Sequence, residues 1–142
     1  MNKILQYLSW VTIISALGIM VLVGFWLLYP YKIITFSDDK FPIMNENKTV
    51  KQGESIVYRA KYCKFIAVPS ETTRSFVDGI IYTTPSVGSN KVVGCGDNLV
   101  FVEVPKTIPA GKYTIQMLYR FRINPLRTID IIKITELFLI VK

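Results

Sequence analysis

The chain has 142 residues, 51% of them hydrophobic, and carries 17 Lys/Arg against 10 Asp/Glu for a net charge of +7. It holds no histidine and two cysteines, which removes the commonest general base, the Ser-His and Cys-His nucleophile arrangements and the usual four-ligand zinc sites. Apart from any membrane segment, this length supports one folded core but not two.

Ile4 to Tyr31 runs 28 residues without a charged side chain, between Lys3 and Lys32. Its centre, Leu8 to Leu28, would form about 31 Å of helix, matching a hydrocarbon core of about 30 Å. Tyr7 and Trp10 at one end and Trp26, Tyr29 and Tyr31 at the other are amphipathic rings suited to the two headgroup layers. A cleaved signal peptide would need a shorter apolar core of about 7 to 15 residues and a small-residue cleavage site, and Phe25 to Pro30 offers none. The segment 1–32 therefore reads as a transmembrane anchor, with the lipid bilayer as the first partner. Thr12, Ser15, Ala16 and Gly18 are small enough for close helix packing, but no G-x-x-x-G run is present.

Pro30 predicts the end of the helix. Residues 33–48 mix Ser37, Asp38, Asp39, Lys40, Pro42 and Asn45 without steady periodicity and read as a tether or loosely held first strand. Asp38 and Asp39 beside Lys40 suit a solvated linker better than acid/base or cation chemistry. Sidedness is not set by charge, because Lys3 stands against Lys32 and Lys40. A short N-terminal tail before a large domain favours an N-in, C-out signal anchor. Cys63 and Cys95 lean the same way, since one disulfide suits an oxidising compartment; two separate buried thiols are the alternative.

From 49 to 142 the pattern is that of strands. Ile56 to Cys63 is β-branched and aromatic, Ser75 to Thr84 is a second run, and Thr84 to Asn90 is turn-rich. Lys91 to Val93 and Asn98 to Val104 flank a kinked Gly94-Cys95-Gly96-Asp97, read as a bulge or tight turn around the cysteine. After a corner at Pro105 to Lys112, residues 113 to 122 alternate with period two, so Tyr113, Ile115, Met117, Tyr119 and Phe121 share one face. Asn124-Pro125 turns the chain into a last apolar strand, Thr128 to Val141. That run is too short and too charged to be a second span.

About seven short strands without helical crossovers predict an antiparallel β-sandwich. Ile108-Pro109-Ala110-Gly111-Lys112-Tyr113-Thr114-Ile115 resembles the E to F corner of immunoglobulin-like sandwiches. There a tyrosine at the start of strand F bonds back across the corner, and the resemblance assigns that role to Tyr113. Ile115 stands where antibody domains carry a cysteine, so a disulfide here is not their B to F bridge. The fold expectation is an all-β, antiparallel immunoglobulin-like domain at 49–142 behind one transmembrane helix. With the Arg122-Ile123-Asn124-Pro125-Leu126-Arg127 hairpin, the anchor and corner also resemble small membrane proteins encoded by bacteriophages.

From Ile33 onward there are 15 Lys/Arg against 10 Asp/Glu. Arg120, Arg122 and Arg127, interleaved with Tyr119 and Phe121, are the densest basic stretch. Such a hairpin can stack on bases and pair with phosphates, but a membrane setting favours lipid headgroups or a partner on the bilayer. The competing reading is a solvated hairpin whose aromatics belong to the core. No cofactor, no nucleic acid and no small-molecule substrate is evident from the residues.

These observations predict a non-catalytic, extracytoplasmic binding or scaffolding module of a phage or bacterial envelope, with a protein partner or self-association through open strand edges. A minor structural protein of a virion is the alternative within the same class. From another class comes a Ser-Lys membrane peptidase, because bacterial leader peptidases carry such a pair on an anchored β domain and Gly96 to Val100 resembles one of their segments. The Ser-Met nucleophile motif is missing, and Ser70, Ser86 and Ser89 lie in turn-like stretches.

Overall fold

A computed structural model describes residues 2–89 and 92–142. Among the described residues it has one α-helix, α1 (Asn2–Leu28), a single 3-10 turn (Glu46–Lys48), and eleven strands: β1 (Ile34–Phe36), β2 (Lys40–Phe41), β3 (Thr49–Lys51), β4 (Ser55–Lys64), β5 (Ser70–Val77), β6 (Ile81–Thr83), β7 (Val87–Ser89), β8 (Gly94–Glu103), β9 (Gly111–Asn124), β10 (Arg127–Thr135) and β11 (Phe138–Val141). The chain divides into two compact units. One is α1 and the residues up to Tyr31 with the turn Asn124–Arg127; the other is Lys32–Ile123 with Thr128–Lys142.

Among the described residues, α1 is the one helix long and apolar enough to cross a membrane, with a mean hydropathy of 2.5. None of its residues is buried, and apolar side chains point outward on every face. The Thr12 hydroxyl is satisfied within the helix, donating to the Leu8 carbonyl at 2.9 Å.

In the second unit, β1, β4 and β8 form a three-stranded sheet, and the remaining strands form a larger one ordered β2-β10-β9-β11-β3, with β5 on β9 and β6 and β7 on β5. Alternation explains the core. Ile56, Tyr58, Ala60 and Tyr62 of β4, and Tyr113, Ile115, Met117, Tyr119 and Phe121 of β9, are all buried, as period-two side chains facing a second sheet should be. Phe41 stacks on Tyr58 at 5.6 Å between ring centroids, and Phe36 packs against both Phe41 and Tyr119.

The sheets are mixed rather than purely antiparallel, because β2 pairs parallel with β10 and β3 parallel with β11. Both parallel strands come from the stretch between α1 and β4. Residues 33–48, read as a tether or a first strand, contribute β1 and β2 to the two sheets. β1 pairs with β4, β2 crosses to β10, and the chain returns so that Met44 N–H donates to the Val57 carbonyl and Arg59 N–H to the Pro42 carbonyl. Ile33, Phe41 and Ile43 are buried, and that burial outweighs the polar composition which suggested a tether.

Further sequence expectations change. Ser75 to Thr84 is a hairpin, not one strand: Gly79 takes φ of 111° between Val77 and Ile81, and Ile80 N–H donates to the Asp78 carboxylate at 3.1 Å. Gly94 to Asp97 is the start of β8 rather than a kink, and within the turn-rich stretch after Thr84 Val87–Ser89 pairs with β5. The expected run at Lys91 to Val93 begins outside the described residues. The last strand is interrupted at Glu136-Leu137, where the Thr135 hydroxyl accepts the Ile115 N–H at 2.9 Å and keeps a buried donor satisfied.

Candidate functional site

The end of α1 is built around a missing donor. Pro30 has no N–H, so the Trp26 carbonyl four residues back lacks its helical partner. Asn124 supplies one, its Nδ2 donating to Trp26 O at 3.0 Å, and Arg127 Nη1 donates to Tyr29 O at 2.6 Å. Asn124 Oδ1 accepts the Leu126 N–H at 3.0 Å, which holds the turn in shape. A cation is thereby placed at the negative end of the helix dipole. Tyr29 packs between Phe25 at 4.9 Å and Tyr31 at 4.8 Å, and the Arg127 guanidinium lies 5.9 Å from the Tyr31 ring. Tyr7 and Trp10 are exposed on the first half of the helix.

The other two arginines of the basic stretch have different environments. Arg120 forms a two-pronged ion pair with Asp130 at 2.9 and 3.0 Å, which raises the guanidinium pKa and lowers that of the carboxyl. Arg122 is exposed and lines a shallow groove with Arg120, Glu71 and Thr128. Tyr119 and Phe121 point the other way, toward the second sheet and away from the face that carries Arg120 and Arg122. The solvated-hairpin reading of the aromatics is the one the packing supports.

Cys63 and Cys95 are bonded across a registered pair of β4 and β8, with Cα atoms 3.9 Å apart. The flanking glycine has a steric cause. Gly96 sits opposite Tyr62, and a Cβ there would lie 2.8 Å from the tyrosine hydroxyl. Tyr113 is fully buried at the start of β9, but its hydroxyl makes no hydrogen bond. The bond back across the corner that the resemblance implies is therefore absent; the ring packs against Tyr82 and Gly111. Burial, with the nearby Asp78 carboxylate, pushes the Tyr113 pKa up to about 12.

The sequence reading missed a cleft of about 640 Å³ in the second unit, between β1, β4 and β8 on one side and β5, β7 and β9 on the other. Tyr58, Lys64, Arg74 and Tyr119 line it together with apolar side chains. Arg74 Nε donates to the Tyr58 hydroxyl at 3.4 Å, and the buried Lys64 ammonium donates to the Val68 carbonyl at 2.7 Å. Desolvation lowers the Lys64 pKa. At the rim, Asp97 is held by Arg59 through both carboxylate oxygens, and that pair keeps the Asp97 carboxyl below its ordinary value. No linear signal marks these residues, because Arg74 and Lys64 sit on different strands among ordinary β-formers.

Ser70 also lines the cleft, with its Oγ donating to the Ser89 carbonyl at 3.0 Å, while Ser86 donates to the Glu71 carboxylate. Among the described residues, no three His, Cys, Asp or Glu side chains gather to hold a metal ion. No protein-family model and no curated protein matches the chain.

Proposed function

We propose that the chain is a single-pass membrane protein whose disulfide-bonded β domain lies on the extracytoplasmic side of a phage or bacterial envelope. There it binds or scaffolds another envelope component without chemistry of its own. The observation that carries the reading is the Cys63 to Cys95 bond on a chain with a spanning-length helix. Disulfides persist in oxidising compartments, and a helix that is apolar on every face has no soluble partner surface to cover it. The cap on α1 supports a lipid-facing role for the turn: when α1 spans, Asn124–Arg127 lies at headgroup level, where each basic side chain adds about 1 kcal/mol near an anionic surface.

An immunoglobulin-like architecture belongs to the same proposal. Two sheets share one core, and the parallel pairings involve only the first segment, with the longer strands β4, β5, β8 and β9 paired antiparallel. The test is thiol labelling of intact cells or sealed vesicles with a membrane-impermeant reagent, with and without reductant. The expected result is labelling from the outside after reduction only. Labelling from the cytoplasmic side without reductant overturns both the topology and the bond.

A further inference from the structure

The cleft between the two sheets has the composition of a ligand site. Its volume of about 640 Å³ falls among small-molecule pockets, which are mostly apolar with a few convergent polar groups. Ile34 and Phe36 of β1, Val100 of β8, and Phe121 of β9 supply apolar wall. The polar groups converge around one cation: Arg74 reaches the Tyr58 hydroxyl, and Tyr119, whose own ionisation burial strongly disfavours, lies within electrostatic range of both.

Charge selects the occupant. Among the described residues no carboxylate comes within ion-pair distance of Arg74, and its one side-chain hydrogen-bond partner is Tyr58. Asp97, the acidic group on the lining, is already held by Arg59. Lys64 adds a second basic group to the same wall. A guanidinium offers five donors in a fixed fork, suited to carboxylate or phosphate, and one of the five is used here.

We propose that this cleft binds an anionic amphiphile, a single acyl chain ended by a carboxylate or phosphate, with the chain between the sheets and the anion on Arg74. A lone anion lacks the apolar part that the walls would cover, and a neutral chain leaves the guanidinium without its counter-charge.

The test uses the full chain in a neutral maltoside detergent and a photoactivatable lauric acid carrying a diazirine, with labelled peptides mapped by mass spectrometry. Cleft labelling is expected on β5, β7 or β8, and labelling of α1 by probe dissolved in the micelle serves as the internal reference. Laurate and lauroyl lysophosphatidic acid are titrated as competitors, and the lower half-competing concentration identifies the carboxylate or the phosphate as the source. Either one should remove the cleft signal, while dodecanol and inorganic phosphate should not. Arg74→Met should lower the cleft signal about tenfold, the cost of a lost charge-assisted hydrogen bond, and leave α1 labelling unchanged. Arg74→Lys should retain most of it, and an intact Cys63 to Cys95 bond with an unchanged circular dichroism spectrum shows that each variant is folded. Equal competition by dodecanol, an undiminished signal in Arg74→Met, or labelling confined to α1 overturns the proposal.

Discussion

β9 and β8 are both long strands, and they are treated oppositely by the fold. β9 has strand neighbours on both sides, and every second residue from Tyr113 to Phe121 is buried. Among the described residues β8 pairs with β4 alone, and of its inward-facing residues Gly96, Asn98, Val100 and Val102, only Val102 is buried. β9 presents Tyr113, Ile115, Met117, Tyr119 and Phe121 inward where β8 presents Gly96, Asn98, Val100 and Val102, so smaller inward side chains and a missing strand neighbour together leave an open cleft beside β8.

The sharpest way to break this comparison is to truncate a side chain on each strand. Ile115→Ala on β9 removes a fully buried side chain and should cost about 4 kcal/mol in denaturant unfolding. Val100→Ala on β8, at a half-buried inward position, should cost only about 1 kcal/mol. Equal losses at the two positions would mean that β8 is covered as well as β9.

Because β8 has one strand neighbour, its disulfide to β4 carries more of its attachment. The bond closes a sequence separation of 32 residues, and replacing both cysteines by serine should cost about 3 kcal/mol by loop closure. The same substitution should raise hydrogen exchange in β8 before it does so in β9.

A smaller effect concerns Tyr113. A buried hydroxyl without a partner is a cost, so Tyr113→Phe should stabilise the domain by about 1 kcal/mol. A loss of similar size would instead restore the corner bond that the immunoglobulin resemblance implies. The raised Tyr113 pKa gives the sign of the alkaline response: stability from the neutral phenol is complete below pH 10 and is lost as pH rises toward about 12. Tyr113→Phe should blunt that loss in an absorbance and circular dichroism titration.

The smallest change is expected in acid. Asp97, Asp130 and Glu136 are held below the ordinary carboxylate range, the first two by Arg59 and Arg120 and the third by Lys48 and the Ile43 N–H. Their contribution is present at neutral pH and falls as pH drops below about 4, through the folded-state values. These pairs are exposed, so salt should reduce the effect.

How much was legible in the sequence differs by element. The core face of β9 was readable because its alternation is unbroken for ten residues. The Asp78-Gly79 hairpin carried a recognised signal, an Asp-Gly pair between apolar residues, which a single-strand reading of Ser75 to Thr84 overlooked. The segment 33–48 left tether and first strand both open for a different reason: its hydrogen bonds go to β4 and β10, far along the chain, and local composition holds no trace of them. The cap on α1 lies between the two cases. Pro30 announces an unsatisfied Trp26 carbonyl, but nothing local announces that Asn124 will satisfy it.

What the sequence alone determined is the spanning-length apolar helix with its aromatic ends, the β character of the remainder and the buried face of β9. Each follows from properties local to the chain: an uncharged run long enough for a bilayer, β-branched and aromatic strands, a period of two. Tertiary structure alone decided the lacing of residues 33–48 between the sheets, the meeting of Cys63 with Cys95 across two registered strands, and the cleft that gathers Arg74, Lys64, Tyr58 and Tyr119. The physical reason is that strand pairing and burial join residues with no spacing in common, and a cleft exists only where one strand lacks the neighbour that another has.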